Sequence, residues 1–197
     1  MRVAMLGGSF DPVHIGHLFI AEEARVNLGY DRIVFVPAYQ PPHKERRPAG
    51  GDLSRVDMLR LAINGRDDFE VDTFEIDRKG VSYTYDTVQY LEERLPVDGR
   101  LGLIIGEDLV EDFHTWKNVD ELIERVDLIV ATREVDGDGS GRKDPCNILA
   151  QCQRIDNSPL PVASSEIRMR VGQGRAFRYL VPERVHGYIV QHGLYTH

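Results

Sequence analysis

The 197-residue chain has only two cysteines and one tryptophan. Cys146 and Cys152 lie in a polar stretch that lacks the CxxC pairs and clustered histidines of a zinc site, so two reduced thiols without a role are expected. Nor is there an apolar run long enough to cross a membrane. Residues 1 to 6 lead straight into Gly7-Gly8, too short a stretch for a signal peptide. Basic residues are in deficit, 24 Lys and Arg against 32 Asp and Glu, for a formal charge of -8. That balance repels nucleic acid and anionic membranes at long range. A soluble, cytoplasmic protein is expected, in which any anionic ligand is held by a local cluster of donors. No internal repeat is present.

The chain does have enough apolar residues, 42%, for one sizeable core, and its length fits a single domain over residues 1–197. Short β-rich runs alternate with amphipathic stretches, the mark of βαβ units and an α/β fold with a mainly parallel sheet. Strands are expected at 2–6, 32–36, 69–76, 101–105 and 127–131, each apolar enough to be covered on both faces by helices. Helical spacing runs over 15–28, 54–63, 85–95 and 119–125. Ser54 with Asp57 has the form of a capping box. Ser164 and Ser165 open a short helix, and a last helix runs from about Pro182 to His192, with Val185, Tyr188 and Ile189 as its buried stripe. These two form a small C-terminal helical portion. Two long connections break the rhythm, 37–53 and 133–153, and the second is expected to be a mobile loop over 134–153.

The chemistry concentrates at Gly7-Gly8-Ser9-Phe10-Asp11-Pro12-Val13-His14-Ile15-Gly16-His17, after the first strand and at the start of the first helix. Glycines allow a ligand close to the backbone, and a helix N-terminus offers N-H groups to an anion, so phosphate binding is expected. The segment is neither a Walker loop nor a GxGxxG fingerprint. His14 and His17 share one face of the first turn and can reach one phosphate chain, the competing role for either being to cap or pack. No carboxylate or third histidine stands at a spacing that would make them metal ligands.

This segment resembles the signature of the HxGH nucleotidyltransferase superfamily, and further segments resemble its bacterial nicotinate mononucleotide adenylyltransferases. They are Pro41-Pro42-His43-Lys44, Asp77 to Thr87, Ile105-Gly106-Glu107-Asp108, His114-Thr115-Trp116, Val162 to Arg168, Tyr179 to Pro182 and His192 to Tyr195. One departure stands out: the family has Ser-Ser-Thr-x-Ile-Arg where this chain has Ala163 and Ser165 at the first and third positions. The resemblance implies a Rossmann-like domain that moves the adenylyl group of ATP to nicotinate mononucleotide, with magnesium accompanying the triphosphate, in NAD biosynthesis.

Site roles combine residue chemistry with that resemblance. Gly7, Gly8, Ser9, Phe10, His14 and His17 would meet ATP. Gly106 and Asp108 close a strand at the sheet edge, where a backbone contact and a carboxylate suit adenosine, with helix capping the rival role for Asp108. Ser164, Ser165 and Arg168 form a second helix N-terminus bearing a cation, suited to outer phosphates. The family pattern makes Lys44 a phosphate ligand in place of a solvated lysine. Arg133 is a second candidate cation, with a surface ion pair as its alternative. Tyr83 and Thr84, at a helix entrance, suit a carboxylate, with N-capping the rival role for Thr84; Trp116 offers a face to a pyridinium ring, with a place in the core as its alternative, and the resemblance gives Thr84 and Trp116 the nicotinate ring. His14, His17, Lys44 and Arg168 are the expected catalytic group. Other acceptors within the superfamily, nicotinamide mononucleotide among them, and a non-catalytic nucleotide sensor are the competing functions. Oligomeric state stays open, a homo-oligomer included.

Overall fold

A computed structural model describes residues 1–42, 48–131, 152–155 and 160–196. Their order of elements is β1 (Val3–Gly8), α1 (Ile15–Leu28), β2 (Arg32–Pro37), α2 (Asp52–Ile63), β3 (Phe69–Val71), α3 (Phe74–Arg78), α4 (Thr84–Arg94), β4 (Leu101–Gly106), α5 (Val119–Arg125), β5 (Val126–Ala131), β6 (Gln153–Ile155), α6 (Ser164–Gly172) and α7 (Glu183–Gln191). The strands make one sheet in the order β3-β2-β1-β4-β5-β6, the doubly wound order of a Rossmann-like α/β fold. In such sheets ligands bind outside the carboxyl ends of the strands, where the order reverses, here between β1 and β4.

The chain divides into two compact units. The first comprises Met1–Gly7, Ile20–Val34 and Tyr83–Pro161. Its strands pair in parallel, Ala4 opposite Gly102, Leu101 opposite Val126 and Ala131 opposite Ile155. Val3 to Leu6, Leu103 to Ile105 and Leu128 to Ala131 are buried, as expected of strands covered on both faces. Helix α4 buries Val88 and Leu91, and α5 buries Leu122. The second unit comprises Gly8–Phe19, Phe35–Ser82 and Val162–His197. Within it α2 packs against α7. Val56, Leu59 and Ile63 are buried on α2, Val185 and Ile189 on α7, and the half-buried Tyr188 donates its hydroxyl to Asp57 Oδ2 at 3.2 Å.

Several sequence expectations are corrected. The strand expected over 69–76 ends at Val71, because Asp72 Oδ1 accepts the N-H of Phe74 at 2.8 Å and turns the chain into α3. Helix α2 begins at Asp52, so Ser54 lies inside its first turn; its N-cap is Gly51, and no side chain caps it. Asp57 bonds Tyr188 instead of completing a capping box. Ala163, not a serine, is the N-cap of α6. Strand β6 is not among the expected strands; the expected connection ends at its first residue, Gln153, and three residues with one buried side chain leave no period to detect. Cys152 is disulfide-bonded, which corrects the expectation of two reduced thiols; Cys146 lies outside the described residues. So do 134–151 of the expected mobile loop, while Gln153 opens β6.

Candidate active site

In the second unit, the segment from Gly8 to His17 is held by three side chains. Arg55 Nη1 of α2 donates to the Ser9 carbonyl at 2.7 Å, Arg168 Nη1 of α6 to the Asp11 carbonyl at 2.6 Å, and Ser164 Oγ to the Pro12 carbonyl at 2.9 Å. A peptide plane sets the N-H of one residue opposite the carbonyl of the residue before it. The N-H groups of Phe10 and Val13 therefore point away from Arg55 and Ser164. Phe10 has a φ of 46°, and its buried ring sits edge-on to His17 at 4.9 Å and to Phe35 at 5.8 Å. A left-handed conformation at a bulky residue persists only where its surroundings over-determine it, and these ring contacts supply that restraint.

His14 and His17 are both buried, 6% and 8% exposed, and their rings stack with centroids 3.7 Å apart. His17 occupies the third position of α1, and its Nδ1 accepts the backbone N-H of His14 at 3.2 Å. This is the reciprocal half of a capping box, performed by an imidazole. A nitrogen accepting that bond carries no proton, so the neutral ring holds its proton on Nε2. The capping role thus falls to Nδ1 alone. Gly16 completes the arrangement: a Cβ there would lie 2.9 Å from Val162 Cγ1 and 3.1 Å from His14 Nδ1. A side chain at position 16 would crowd Val162 first and then the His14 ring.

Ser165, exposed on α6, also lies in the second unit, and the first unit holds the remaining described candidates. Gly7 is exposed near the end of β1, Gly106 ends β4 half-buried, and Asp108 is exposed on the short turn Glu107–Leu109. Tyr83 is the N-cap of α4 and Thr84 its first residue; neither side chain caps the helix. Thr84 is therefore not the N-cap, the role that competed with ligand binding. Lys117 ties the neighbourhood of Tyr83 and Thr84 to that of Trp116, pairing with Asp86 at 2.7 Å and standing 5.0 Å from the Tyr83 ring. Trp116 is half-buried against Phe113, centroids 4.8 Å apart, and its buried Nε1 has no hydrogen-bond partner among the described residues. Lys44 and Arg133 lie outside the described residues.

The cytidylyltransferase-like family model matches residues 5–170. A Treponema pallidum protein named probable nicotinate-nucleotide adenylyltransferase is 39% identical over 99% of this chain and 99% of its own length. One of the same name from Borreliella burgdorferi is 37% identical over 100% and 97%. The chain belongs to the nicotinate-nucleotide adenylyltransferase family. A solved Plasmodium falciparum nicotinic acid mononucleotide adenylyltransferase, complexed with NaAD, superposes with a TM-score of 0.76 at 20% identity, covering 99% of this chain and 97% of that one. At that identity the likeness shows the fold.

For this member of the adenylyltransferase family, the structure adds residues that the sequence did not single out. Arg55 is 0% exposed and also pairs with Asp52 at 2.9 Å. An arginine in an amphipathic helix reads as solvated, and only the fold reveals that this one bonds the Ser9 carbonyl. Asp11 lies inside the motif itself, yet its partners come from Ala49, Gly50, Arg168 and Tyr195, far away in sequence. Among the described residues, no group of three or more His, Cys, Asp or Glu is placed to hold a metal ion.

Proposed function

We propose that this chain transfers the adenylyl group of magnesium-bound ATP to nicotinate mononucleotide, giving nicotinate adenine dinucleotide and pyrophosphate. The observation that carries the proposal is the buried, stacked His14 and His17 pair on the first turn of α1, beside a segment whose carbonyls are tied back by Arg55, Arg168 and Ser164. Donors fixed before the substrate arrives stabilise developing charge without a reorganisation cost. The names of the Treponema and Borreliella relatives support the acceptor.

An oxygen of the acceptor's phosphate attacks the α-phosphorus, a new P-O bond forms, and the bond to the departing pyrophosphate breaks in line. A phosphate is an adequate nucleophile, so no covalent intermediate is needed and the protein's task is to position two anions and neutralise charge. His17, through Nε2-H, and His14 serve the triphosphate together with Arg168, Ser164, Ser165 and the backbone of Gly7 to Phe10. Lys44 and Arg133 supply cations to the phosphates. Gly106 and Asp108 take adenosine, while Tyr83, Thr84 and Trp116 take the pyridine ring and its carboxylate. Magnesium enters as part of the ATP substrate.

Incubation with magnesium ATP and nicotinate mononucleotide, followed by chromatography, tests the proposal. Equal amounts of dinucleotide and pyrophosphate are expected. ATP binding without either product would instead identify a nucleotide sensor.

A further inference from the structure

Asp11 takes no part in the chemistry just described, yet it is 3% exposed and densely bonded. Its Oδ2 accepts the N-H of Ala49 at 2.7 Å, and its Oδ1 accepts both the N-H of Gly50 at 2.8 Å and the hydroxyl of Tyr195 at 2.7 Å. Arg168 Nη1 stands 3.8 Å from Oδ2, at the outer limit of an ion pair, while it bonds the Asp11 carbonyl closely. Tyr195 holds a φ of 65°, a left-handed conformation that a residue with a Cβ adopts only when its surroundings impose it. Gly50 is packed so closely that a Cβ would lie 2.5 Å from both Asp11 Oδ1 and Tyr195 Oη. Burial first, and then the charge of Asp11, raise the pKa of Tyr195 and keep its hydroxyl a donor.

We propose that Tyr195 is a positioning residue for ATP, which holds the Asp11 carboxylate away from Arg168 so that the arginine's charge remains available to the triphosphate. The inference rests on the function proposed above. A carboxylate has about four acceptor positions, and two amides with one hydroxyl satisfy most of them. Without the hydroxyl, the carboxylate keeps its two amide bonds but loses a neutral donor, with the Arg168 guanidinium 3.8 Å from Oδ2. Asp11 then closes on it, and a tight carboxylate pair competes directly with phosphate for the same planar fork.

The test is calorimetric titration of the full chain with magnesium ATP and, separately, with nicotinate mononucleotide. Tyr195→Phe is expected to weaken ATP about tenfold, the scale of one hydrogen bond to a charged group, and to leave nicotinate mononucleotide within about twofold. Adding Asp11→Asn to Tyr195→Phe is expected to recover most of the ATP affinity, because a neutral amide cannot neutralise Arg168. A merely structural role for Tyr195 would give no such recovery. Unchanged ATP affinity in Tyr195→Phe overturns the inference, as does a failure of the double variant to regain affinity. Should the double variant not fold, Asp11→Asn alone takes its place: ATP affinity at or above the parent's is expected, and a loss as large as that of Tyr195→Phe overturns the inference. Turnover of the unmodified chain, measured in parallel, reports separately on the function itself.

Discussion

At the scale of single residues, the site divides labour within side chains. His17 spends Nδ1 on the N-terminus of α1 and keeps its proton on Nε2, so replacing it removes a cap and a donor together. His17→Ala is expected to lower kcat about 100- to 1,000-fold at saturating substrates, as loss of a fixed donor to a transition state does. A rate close to that of the parent would show that His17 only caps. Tyr195 yields a second expectation. Its folded-state pKa is raised by burial, foremost, and by Asp11. The folded chain therefore retains a proton that the unfolded chain releases above about pH 10. The stability this contributes is complete below that pH and is lost as pH rises through the folded value. Melting temperature should fall more steeply above about pH 10 in the parent than in Tyr195→Phe. Parallel profiles would refute this assignment.

The motif residues were legible in the sequence because glycine, histidine and helix-start chemistry are local. Asp11 and Arg55 were not, since what defines each is a partner 38 to 184 residues away.

At the scale of elements, strands buried on both faces and helices with a clear apolar stripe could be read directly. Helices α1 and α5 run over the residues their spacing predicts, and β1, β2, β4 and β5 lie within two residues of expectation. The errors fall where one local hydrogen bond overrides a pattern. Asp72 ends an apolar run that would otherwise continue as a strand, and the cap of α2 lies at a glycine that no capping pattern marks. The stripe of α7 was anticipated at Val185, Tyr188 and Ile189, though Tyr188 keeps one edge outward to bond Asp57. Ile189 is 1% exposed, and truncation to Ala is expected to cost about 2 to 5 kcal/mol in denaturant unfolding. A cost under about 0.5 kcal/mol would mean that α7 does not pack on α2 as described.

At the scale of the whole molecule, the proposed reaction asks a chain of net charge -8 to handle two polyanionic substrates. Long-range attraction cannot gather such anions, so the proposed binding depends on cations and amides fixed at short range. No helix among the described residues is long and apolar enough to cross a membrane. Choice of acceptor rests on the smallest chemical difference, a carboxylate in place of an amide on the pyridine ring. The most direct measurement is therefore the rate of pyrophosphate release from magnesium ATP with nicotinate mononucleotide and with nicotinamide mononucleotide, each at concentrations well below KM. The account predicts that the nicotinate compound has a kcat/KM at least about 10-fold higher, the return from one well-placed charged hydrogen bond. Equal values, or preference for the amide, would contradict the roles given to Thr84 and Trp116 and the acceptor proposed here.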